Sequence, residues 1–319
     1  MTEFGYKLCS EEHGPAELAD LAAEAERVGF AFAMVSDHYH PWIDAQGESP
    51  FVWTTLGAAA RATERLRFGT GVTCPTVRIH PAIVAQAAAT VAALAPGRFF
   101  LGLGSGENLN EHVLGDAWPQ AAVRQDMLEE AVEVIRELWS GEWTDHRGRF
   151  YTVERAKLYT LPEEPPEIAI AASGTNAAEL AGRIGDAMIG LAPDEELMRA
   201  FDGAGGGAGK PRYAELTVCY AEDEAEARRI AHERWPNTAI AGELSAELPL
   251  PRHFEQAASM VTEDDVAQKI VCGPDPDRHL ELIRTYERAG YDHLWFHQVG
   301  PDQQGFFRFY EEQVLPKAR

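Results

Sequence analysis

Short apolar runs rich in β-branched and aromatic residues alternate along the chain with longer amphipathic stretches. This alternation is typical of β-strand and α-helix units wound around a parallel sheet. Eight runs predict strands, at Phe4–Leu8, Phe30–Val35, Leu66–Val72, Arg98–Leu103, Glu167–Ala171, Ala187–Leu191, Ala214–Tyr220 and His293–His297. Helical patterns lie between them, at Pro15–Val28, Ala82–Ala93, Val123–Trp139, Asn176–Ile184, Glu222–Arg234 and Asp277–Ala289.

The number of units separates two α/β architectures. Eight units in 319 residues fit a closed (β/α)8 TIM barrel of about 250 residues with insertions. An open doubly wound sheet is the alternative, but no G-x-G-x-x-G pattern joins a first strand to a helix. Irregular segments at Trp143–Leu161, Gly203–Lys210 and Ala239–Thr262 interrupt the alternation, and we expect insertions at the C-terminal mouth of the barrel. No linker divides the chain, so residues 1–319 are predicted to form a single domain.

Composition narrows the classes of function. Fifty-one acidic residues against 28 basic ones give a formal net charge of −23, which repels nucleic-acid phosphates and anionic membrane surfaces. No apolar stretch reaches the roughly 18 residues that span a membrane, and no signal pattern is present. Cys9, Cys74, Cys219 and Cys272 form no C-x-x-C pair, which is typical of reduced, buried thiols. We expect a cytoplasmic protein that binds neither nucleic acid nor membrane.

The densest group of reactive side chains follows the second predicted strand. Asp37, His38, His40 and Trp42 stand together there, directly after a buried apolar run. Polar groups at the C-terminal ends of strands form the active sites of α/β folds. The alternative is a loop whose aromatic side chains only cover the core.

Two further strand ends carry glycine-rich segments. In Gly102–Glu111, alternating glycines would let the backbone lie flat against a ligand, and Glu107 would point into the barrel mouth. An apolar pocket would favour the neutral carboxyl group and suit Glu107 to donate a proton, although Glu107 could instead only favour the next helix dipole. Phe68–Thr76 has small residues that would leave room for a planar ring, or it simply turns at Pro75.

A fourth segment, Ile170–Thr175, runs directly into a predicted helix. The free N–H groups of that helix N-terminus, with the hydroxyls of Ser173 and Thr175, could bind a phosphate. The same residues would also serve as ordinary N-caps.

Together these segments resemble the F420-dependent branch of the luciferase-like (bacterial luciferase) superfamily, and within it the F420-dependent glucose-6-phosphate dehydrogenases. The shared motifs are Ser-Asp-His-x-x-Pro-Trp at 36–42, Gly-Thr-Gly-Val-x-x-Pro-Thr at 69–76, Gly-x-Gly-Glu-x-Leu-Asn-Glu at 104–111 and Ala-Ala-Ser-Gly at 171–174. Four motifs in the same order are far more specific than any one of them. The resemblance implies a barrel, commonly dimeric, with the deazaflavin coenzyme F420 across its C-terminal mouth.

The resemblance also assigns roles to individual residues. His38, Trp42 and Glu107 would stand at the reacting centre. The coenzyme would be held by Asp37, Gly71, Val72, Gly106, Asn110, Ala171, Ala172, Ser173 and Gly174, with a cis peptide bond between Gly71 and Val72. The implied reaction is hydride transfer between a substrate carbon and C5 of the deazaflavin. His38 would take the hydroxyl proton, Glu107 would supply a proton near N1, and Trp42 would shield the reacting carbon.

The chain departs from these relatives where a sugar phosphate would bind. The family holds that phosphate with two lysines and an arginine, because a dianion needs charge-assisted hydrogen bonds. Here Asp194 stands where one lysine is expected, Gln256 replaces the second, and Lys269 roughly matches the arginine. His40 stands where relatives often carry glutamine. We therefore expect weak or absent activity on glucose 6-phosphate, and a small alcohol or sugar-type substrate near Lys269, Gln256 and His40.

Three other functions would use parts of the same sequence pattern. An FMN-dependent luciferase-like monooxygenase would keep the barrel and change the coenzyme. A deazaflavin-binding protein without turnover would have no need of Glu107. A metal-dependent hydrolase would need ligands from several strand ends, whereas Asp37 and His38 are adjacent and their side chains alternate in direction. We therefore predict no metal site, and the leading hypothesis is an F420-dependent oxidoreductase that acts on a small molecule as a homodimer.

Overall fold

The computed structural model describes residues 2–240 and 242–318. Its strands are β1 (Glu3–Leu8), β2 (Phe32–Val35), β3 (Arg67–Thr70), β4 (Phe99–Leu103), β5 (Thr144–Arg147), β6 (Thr152–Ala156), β7 (Glu167–Ala171), β8 (Ala187–Gly190), β9 (Arg212–Cys219), β10 (Val271–Cys272) and β11 (His293–Gln298). Its α-helices are α1 (Pro15–Val28), α2 (Val52–Ala62), α3 (Pro81–Leu94), α4 (Asn108–Glu111), α5 (Ala121–Trp139), α6 (Thr175–Ile184), α7 (Glu195–Gly203), α8 (Glu224–Arg234), α9 (Leu244–Glu247), α10 (Pro251–Ala257), α11 (Glu263–Ala267), α12 (Pro276–Ala289), α13 (Gln303–Phe309) and α14 (Leu315–Ala318).

Eight of the described strands form one closed parallel barrel. The hydrogen-bonded order runs β1, β2, β3, β4, β7, β8, β9 and β11, and β11 also pairs with β1. The predicted (β/α)8 barrel is therefore confirmed. All eight predicted strands are present, with ends that differ from the prediction by at most two residues.

Glycines in β1 and β3 make room for aromatic rings inside the barrel. A Cβ atom added to Gly5 would lie 2.5 Å from the ring of Phe32, and one added to Gly69 would lie 2.5 Å from the ring of Phe100. These two rings also pack on Tyr213, with centroids 5.4 and 5.3 Å from it. Aromatic side chains thus fill much of the lower part of the barrel, where Arg67 also donates a hydrogen bond to the hydroxyl of Tyr213 at 3.1 Å.

The outer helices bury one apolar stripe each. Helix α1 begins with Pro15 and ends before Gly29, whose φ of 99° is the left-handed conformation that glycine adopts readily. Its buried residues are Leu18, Leu21, Ala22, Ala25 and Val28. Among the described residues, no helix is both long enough and apolar enough to cross a lipid bilayer.

The three irregular segments take different positions. Strands β5 and β6 form an antiparallel hairpin within Trp143–Leu161. The described part of Ala239–Thr262 lies over the mouth, where Phe254 packs on Trp42 at a centroid distance of 5.2 Å. Gly203–Lys210 instead connects the end of α7 to the start of β9. It therefore lies at the N-terminal end of the barrel, opposite the mouth.

Candidate active site

A histidine and a glutamate form a buried ion pair where β1 and β2 end. Nδ1 of His38 lies 2.9 Å from Oε1 of Glu11, and the Glu11 side chain is fully buried. Oε2 of Glu11 accepts hydrogen bonds from the Ser36 hydroxyl at 2.9 Å and from the Cys9 thiol at 3.3 Å. Glu11 therefore lies against one ring nitrogen of His38 and favours the charged form of the imidazole. Glu11 is not among the residues predicted from the sequence.

The ion pair shifts the pKa of both partners. Burial by itself raises the pKa of Glu11, but the charges of His38 and Lys7 outweigh it and hold that pKa well below its usual range. Burial lowers the pKa of His38, but the charge and hydrogen-bonding capacity of Glu11, with a smaller contribution from Glu107, raise it above its usual value. The imidazole therefore gains a proton more readily than a free histidine does.

Trp42 packs against the imidazole of His38, and Glu107 is near enough to favour its charged form. The Trp42 ring meets the His38 ring edge-on, with centroids 5.3 Å apart and planes 78° apart. Glu107 occupies the N-cap position of α4, yet its side chain makes no capping hydrogen bond. Its carboxyl group therefore makes no capping hydrogen bond, while its position at the start of α4 also fits the alternative in which it favours the helix dipole. The structure brings the three predicted catalytic side chains to one end of the barrel.

A second buried charge network lies beneath this site. The ammonium group of Lys7 donates to Oε1 of Glu215 at 3.1 Å, and the indole N–H of Trp295 donates to Oε2 at 3.2 Å. Nδ1 of His297 lies 3.4 Å from Oε1 of Glu215. Burial raises the pKa of Glu215, but Lys7 and His297 outweigh it and lower that pKa to about 2. Burial, followed by the charge of Lys7, lowers the pKa of His297, which favours the neutral imidazole.

The ends of β3 and β4 form a flat backbone surface. The Gly71–Val72 peptide bond is cis, which confirms the prediction from the family resemblance. Gly106 has a φ of 81°, and a Cβ atom added there would lie 2.5 Å from Sγ of Cys74. A Cβ atom added to Gly104 would lie 2.7 Å from the side chain of Val72. A side chain at Gly104 or Gly106 would clash with the neighbouring strand end, so only glycine fits there. The two strand ends therefore lie close together, and neither residue has a side chain of its own to cover its backbone.

Asn110 and Asp37 use their side chains differently at this surface. Oδ1 of Asn110 accepts hydrogen bonds from the N–H groups of Tyr39 and His40, while its buried Nδ2 has no hydrogen-bond partner among the described residues. A donor left in this state fits a ligand that supplies an acceptor. The carboxylate of Asp37 instead accepts from the Thr73 hydroxyl at 2.7 Å and from Arg78 at 2.9 Å. Asp37 therefore holds the loops around the surface together.

The turn from β7 into α6 offers free backbone N–H groups. Ser173 and Gly174 are exposed, and Gly174 is the N-cap of α6 without a side-chain hydrogen bond to the helix. The N–H of Ala172 donates to Ile189 within the barrel. Among the described residues, neither the Ser173 nor the Thr175 hydroxyl caps α6. The helix N-terminus remains available to an anionic group.

The residues predicted near the substrate lie further out. His40 places Nδ1 3.0 Å from the carbonyl oxygen of Leu109 and stacks on His112. Gln256 and Lys269 are exposed. Because Gln256 follows Phe254 by two residues on α10, it leaves the helix on nearly the opposite side from the ring that faces Trp42. Their contact with substrate remains a prediction.

Asp194 has a structural role that explains its identity. It is the N-cap of α7, where its Oδ1 accepts hydrogen bonds from the N–H groups of Glu196 and Leu197 at 2.8 and 3.3 Å. An aspartate at this position stabilises the helix by about 1 kcal/mol. The carboxylate also disfavours a phosphate nearby.

Residues 2–293 match the family model described as luciferase-like monooxygenase. This chain belongs to the luciferase-like family. Among its relatives, this luciferase-like protein is 40% identical to the F420-dependent glucose-6-phosphate dehydrogenase of Nakamurella multipartita, over 99% of this chain and 96% of that protein. It is 39% identical to the protein of the same name from Microbacterium testaceum, over 99% of this chain and 97% of that protein.

Two solved structures of F420-dependent enzymes are similar to this chain over its whole length. An F420-dependent secondary alcohol dehydrogenase in complex with an F420–acetone adduct superposes with a TM-score of 0.92 at 29% identity, covering 100% of this chain and 99% of that one. The F420-dependent tetrahydromethanopterin reductase of Methanopyrus kandleri has a TM-score of 0.81 at 20% identity, with coverage of 100% and 99%. The second similarity, at this identity, concerns the fold alone.

Proposed function

We propose that this luciferase-like protein is an F420-dependent oxidoreductase that interconverts a small, uncharged secondary alcohol and its ketone. The observation that carries the proposal is the buried His38–Glu11 pair, with Trp42 packed against His38 and Glu107 nearby at the barrel mouth. Names of relatives support the coenzyme, and the solved alcohol dehydrogenase supports the substrate class.

The described residues fit a deazaflavin coenzyme. The cis Gly71–Val72 bond and Gly106 leave a flat backbone surface for a ring system. The unpaired Nδ2 of Asn110 offers it a hydrogen-bond donor, and the uncapped start of α6 offers N–H groups to its phosphate. When bound, F420 supplies a ring carbon that accepts or returns a hydride.

The protein side chains would accept and donate the protons of this reaction. Because Nδ1 of His38 faces Glu11, Nε2 is the nitrogen left to take the proton of the substrate hydroxyl group. Glu11 stabilises the imidazolium that forms, in the way that a buried carboxylate orients and stabilises a catalytic histidine. Glu107 exchanges a proton on the coenzyme side. Trp42 excludes water from the space between His38 and α10.

The walls above this site favour an uncharged substrate. Ile43, Leu109 and Phe254 form a buried apolar cluster, joined by the partly buried Trp42 and Leu248. At the positions of the family's phosphate clamp, Asp194 is engaged in a helix cap, while Gln256 carries no charge and, like Lys269, is exposed. Of the three clamp positions only Lys269 would offer a dianionic sugar phosphate a charge-assisted hydrogen bond, so we expect such a substrate to bind poorly.

We also propose a cytoplasmic homodimer. Phe51 and Ile83, at the starts of the neighbouring helices α2 and α3, are 52% and 56% exposed. Large exposed apolar side chains at the same ends of neighbouring helices favour an interface with a second copy. The four free, buried cysteines fit a reducing compartment. Light scattering of the purified protein tests the dimer.

A coenzyme titration and a substrate screen test the proposed function. We expect F420 to bind in the micromolar range or tighter, without competition from FMN. Secondary alcohols should bleach the oxidised deazaflavin band, whereas glucose 6-phosphate should bleach it weakly or not at all. Purified protein that carries bound FMN, or bleaching only with sugar phosphates, would contradict the proposal.

A further inference from the structure

Three potential metal ligands converge beside the His38–Glu11 pair, where β1 and β11 end. Cys9 and Glu12 follow β1, and His297 lies near the end of β11. The Cys9 sulfur, a carboxylate oxygen of Glu12 and a ring nitrogen of His297 all lie within 4.8 Å of one another. The side chains of Cys9 and His297 are each 1% exposed. The barrel thus brings together residues from opposite ends of the sequence.

One of these groups has a buried nitrogen without a partner. Nδ1 of His297 lies against Glu215, but its buried Nε2 has no hydrogen-bond partner among the described residues. A buried polar atom without a hydrogen-bond partner is unfavourable. The nitrogen is therefore free to bind a group that lies between His297 and its two neighbours.

Each of the three side chains is also held by an outer partner. Glu215 contacts the other ring nitrogen of His297 at 3.4 Å. The N–H of Gly300 donates to Oε2 of Glu12 at 3.1 Å. The Cys9 thiol donates to Oε2 of Glu11 at 3.3 Å, a hydrogen bond that is lost when a metal ion replaces the thiol proton. A carboxylate behind the ligating histidine and a hydrogen bond to the ligating carboxylate are usual surroundings of a protein metal site.

We propose that Cys9, Glu12 and His297 bind one divalent metal ion of the zinc type. A set of sulfur, nitrogen and carboxylate oxygen suits Zn²⁺ or Co²⁺, whereas Mg²⁺ and Ca²⁺ prefer oxygen ligands alone. Zinc bonds measure about 2.3 Å to sulfur and about 2.0 Å to nitrogen, and the present separations of the three ligand atoms, all within 4.8 Å, leave space for one such ion between them. Cys9 binds as the thiolate and releases its proton to solvent, and water completes the coordination.

The ion would stabilise the barrel and would not take part in the redox reaction. It would tie the loop after β1 to the end of β11, the two strands that close the barrel. The ring of Trp235, which leads from α8 into the segment over the mouth, packs edge-on against His297 at 4.4 Å. The site therefore supports the insertion that covers the substrate pocket. Its three ligands stand far apart in the sequence, which is why no motif predicts it.

Metal titration of chelator-treated protein, without coenzyme, tests this site. We expect one equivalent of Co²⁺ to bind, with a thiolate-to-cobalt charge-transfer band and a higher Tm. Cys9→Ser should abolish the band, and both Cys9→Ser and Glu12→Gln should weaken binding at least about tenfold. The matched control is Cys74→Ser, the same change at a buried cysteine outside the cluster, which should retain the band. Binding far below one equivalent, or a band that survives Cys9→Ser, would overturn the proposal.

Discussion

Nδ1 of His38 lies 2.9 Å from Oε1 of Glu11 in the interior of the barrel mouth. The contact leaves Nε2 as the nitrogen that meets substrate, and it raises the pKa of the imidazole despite burial. One buried carboxylate therefore determines both the direction and the proton affinity of the proposed catalytic base.

Changing Glu11 should alter the pH dependence of alcohol oxidation. The base must be neutral to accept a proton, so kcat/KM of the wild type should rise with pH through the raised pKa of His38. Glu11→Gln removes the charge that favours the imidazolium, so the rise should move to lower pH. Steady-state rates across the pH range measure this shift.

The control for Glu11→Gln is Glu17→Gln, which removes an exposed carboxylate that pairs with His13. Its pH profile should match that of the wild type. An unchanged profile in Glu11→Gln, or a rise displaced to higher pH, would be inconsistent with the role given to this ion pair.

Glu107→Gln should separate turnover from coenzyme binding. Loss of a general acid–base group lowers turnover by roughly 10²–10⁴-fold, whereas the isosteric amide keeps the shape of the site. F420 affinity, measured by titration, should stay within a few-fold of the wild type. Near-normal turnover would remove Glu107 from the mechanism.

Removing Lys7 should destabilise the fold. Lys7→Met leaves Glu215 buried without its main partner, which typically costs about 3–5 kcal/mol of unfolding free energy. The matched control is Arg199→Met, because Arg199 pairs with Glu195 on the surface, where both side chains are at least 70% exposed and such pairs contribute about 0–1 kcal/mol. Urea unfolding measures both variants. Equal losses would show that the buried pair is not important for stability.

Gly106→Ala should weaken F420 binding through a steric clash. Gly106 and Gly115 both have positive φ, at 81° and 88°, but a Cβ atom would meet Cys74 at the first position and nothing within 4 Å at the second. Both variants should lose about 1–2 kcal/mol of stability from the left-handed backbone. Only Gly106→Ala should also lose coenzyme affinity. Equal affinities in the two variants would contradict the proposed coenzyme surface.

The sequence predicted the barrel because its parallel strands are buried on both sides and read as continuous apolar runs. Helix α2 (Val52–Ala62) was not among the predicted helices, since Val52, Thr54 and Thr55 are β-branched and only burial against the barrel selects the helix. Motif residues such as His38 and Trp42 were found because they are neighbours in the sequence.

The pairings between distant strands could not be read from the sequence. Lys7 and Glu215 lie on β1 and β9, and their contact exists only because the sheet closes. Glu11 stands just beyond β1, but one acidic residue next to Glu12 gives no signal of its own. Gln256 lies in the irregular segment Ala239–Thr262 and Lys269 lies shortly after it, where no periodic pattern indicates the direction of either side chain.

Deuterium transfer from a labelled alcohol is the most direct test of hydride transfer between a secondary alcohol and F420. The protein is incubated with oxidised F420 and propan-2-ol deuterated at its central carbon, and the reduced coenzyme is analysed by mass spectrometry. We predict one deuterium on the reduced coenzyme and a slower reaction than with unlabelled alcohol. We also predict loss of the reaction in His38→Asn. Reduced coenzyme without deuterium, or no reduction by any secondary alcohol while FMN is reduced instead, would contradict the proposed hydride transfer.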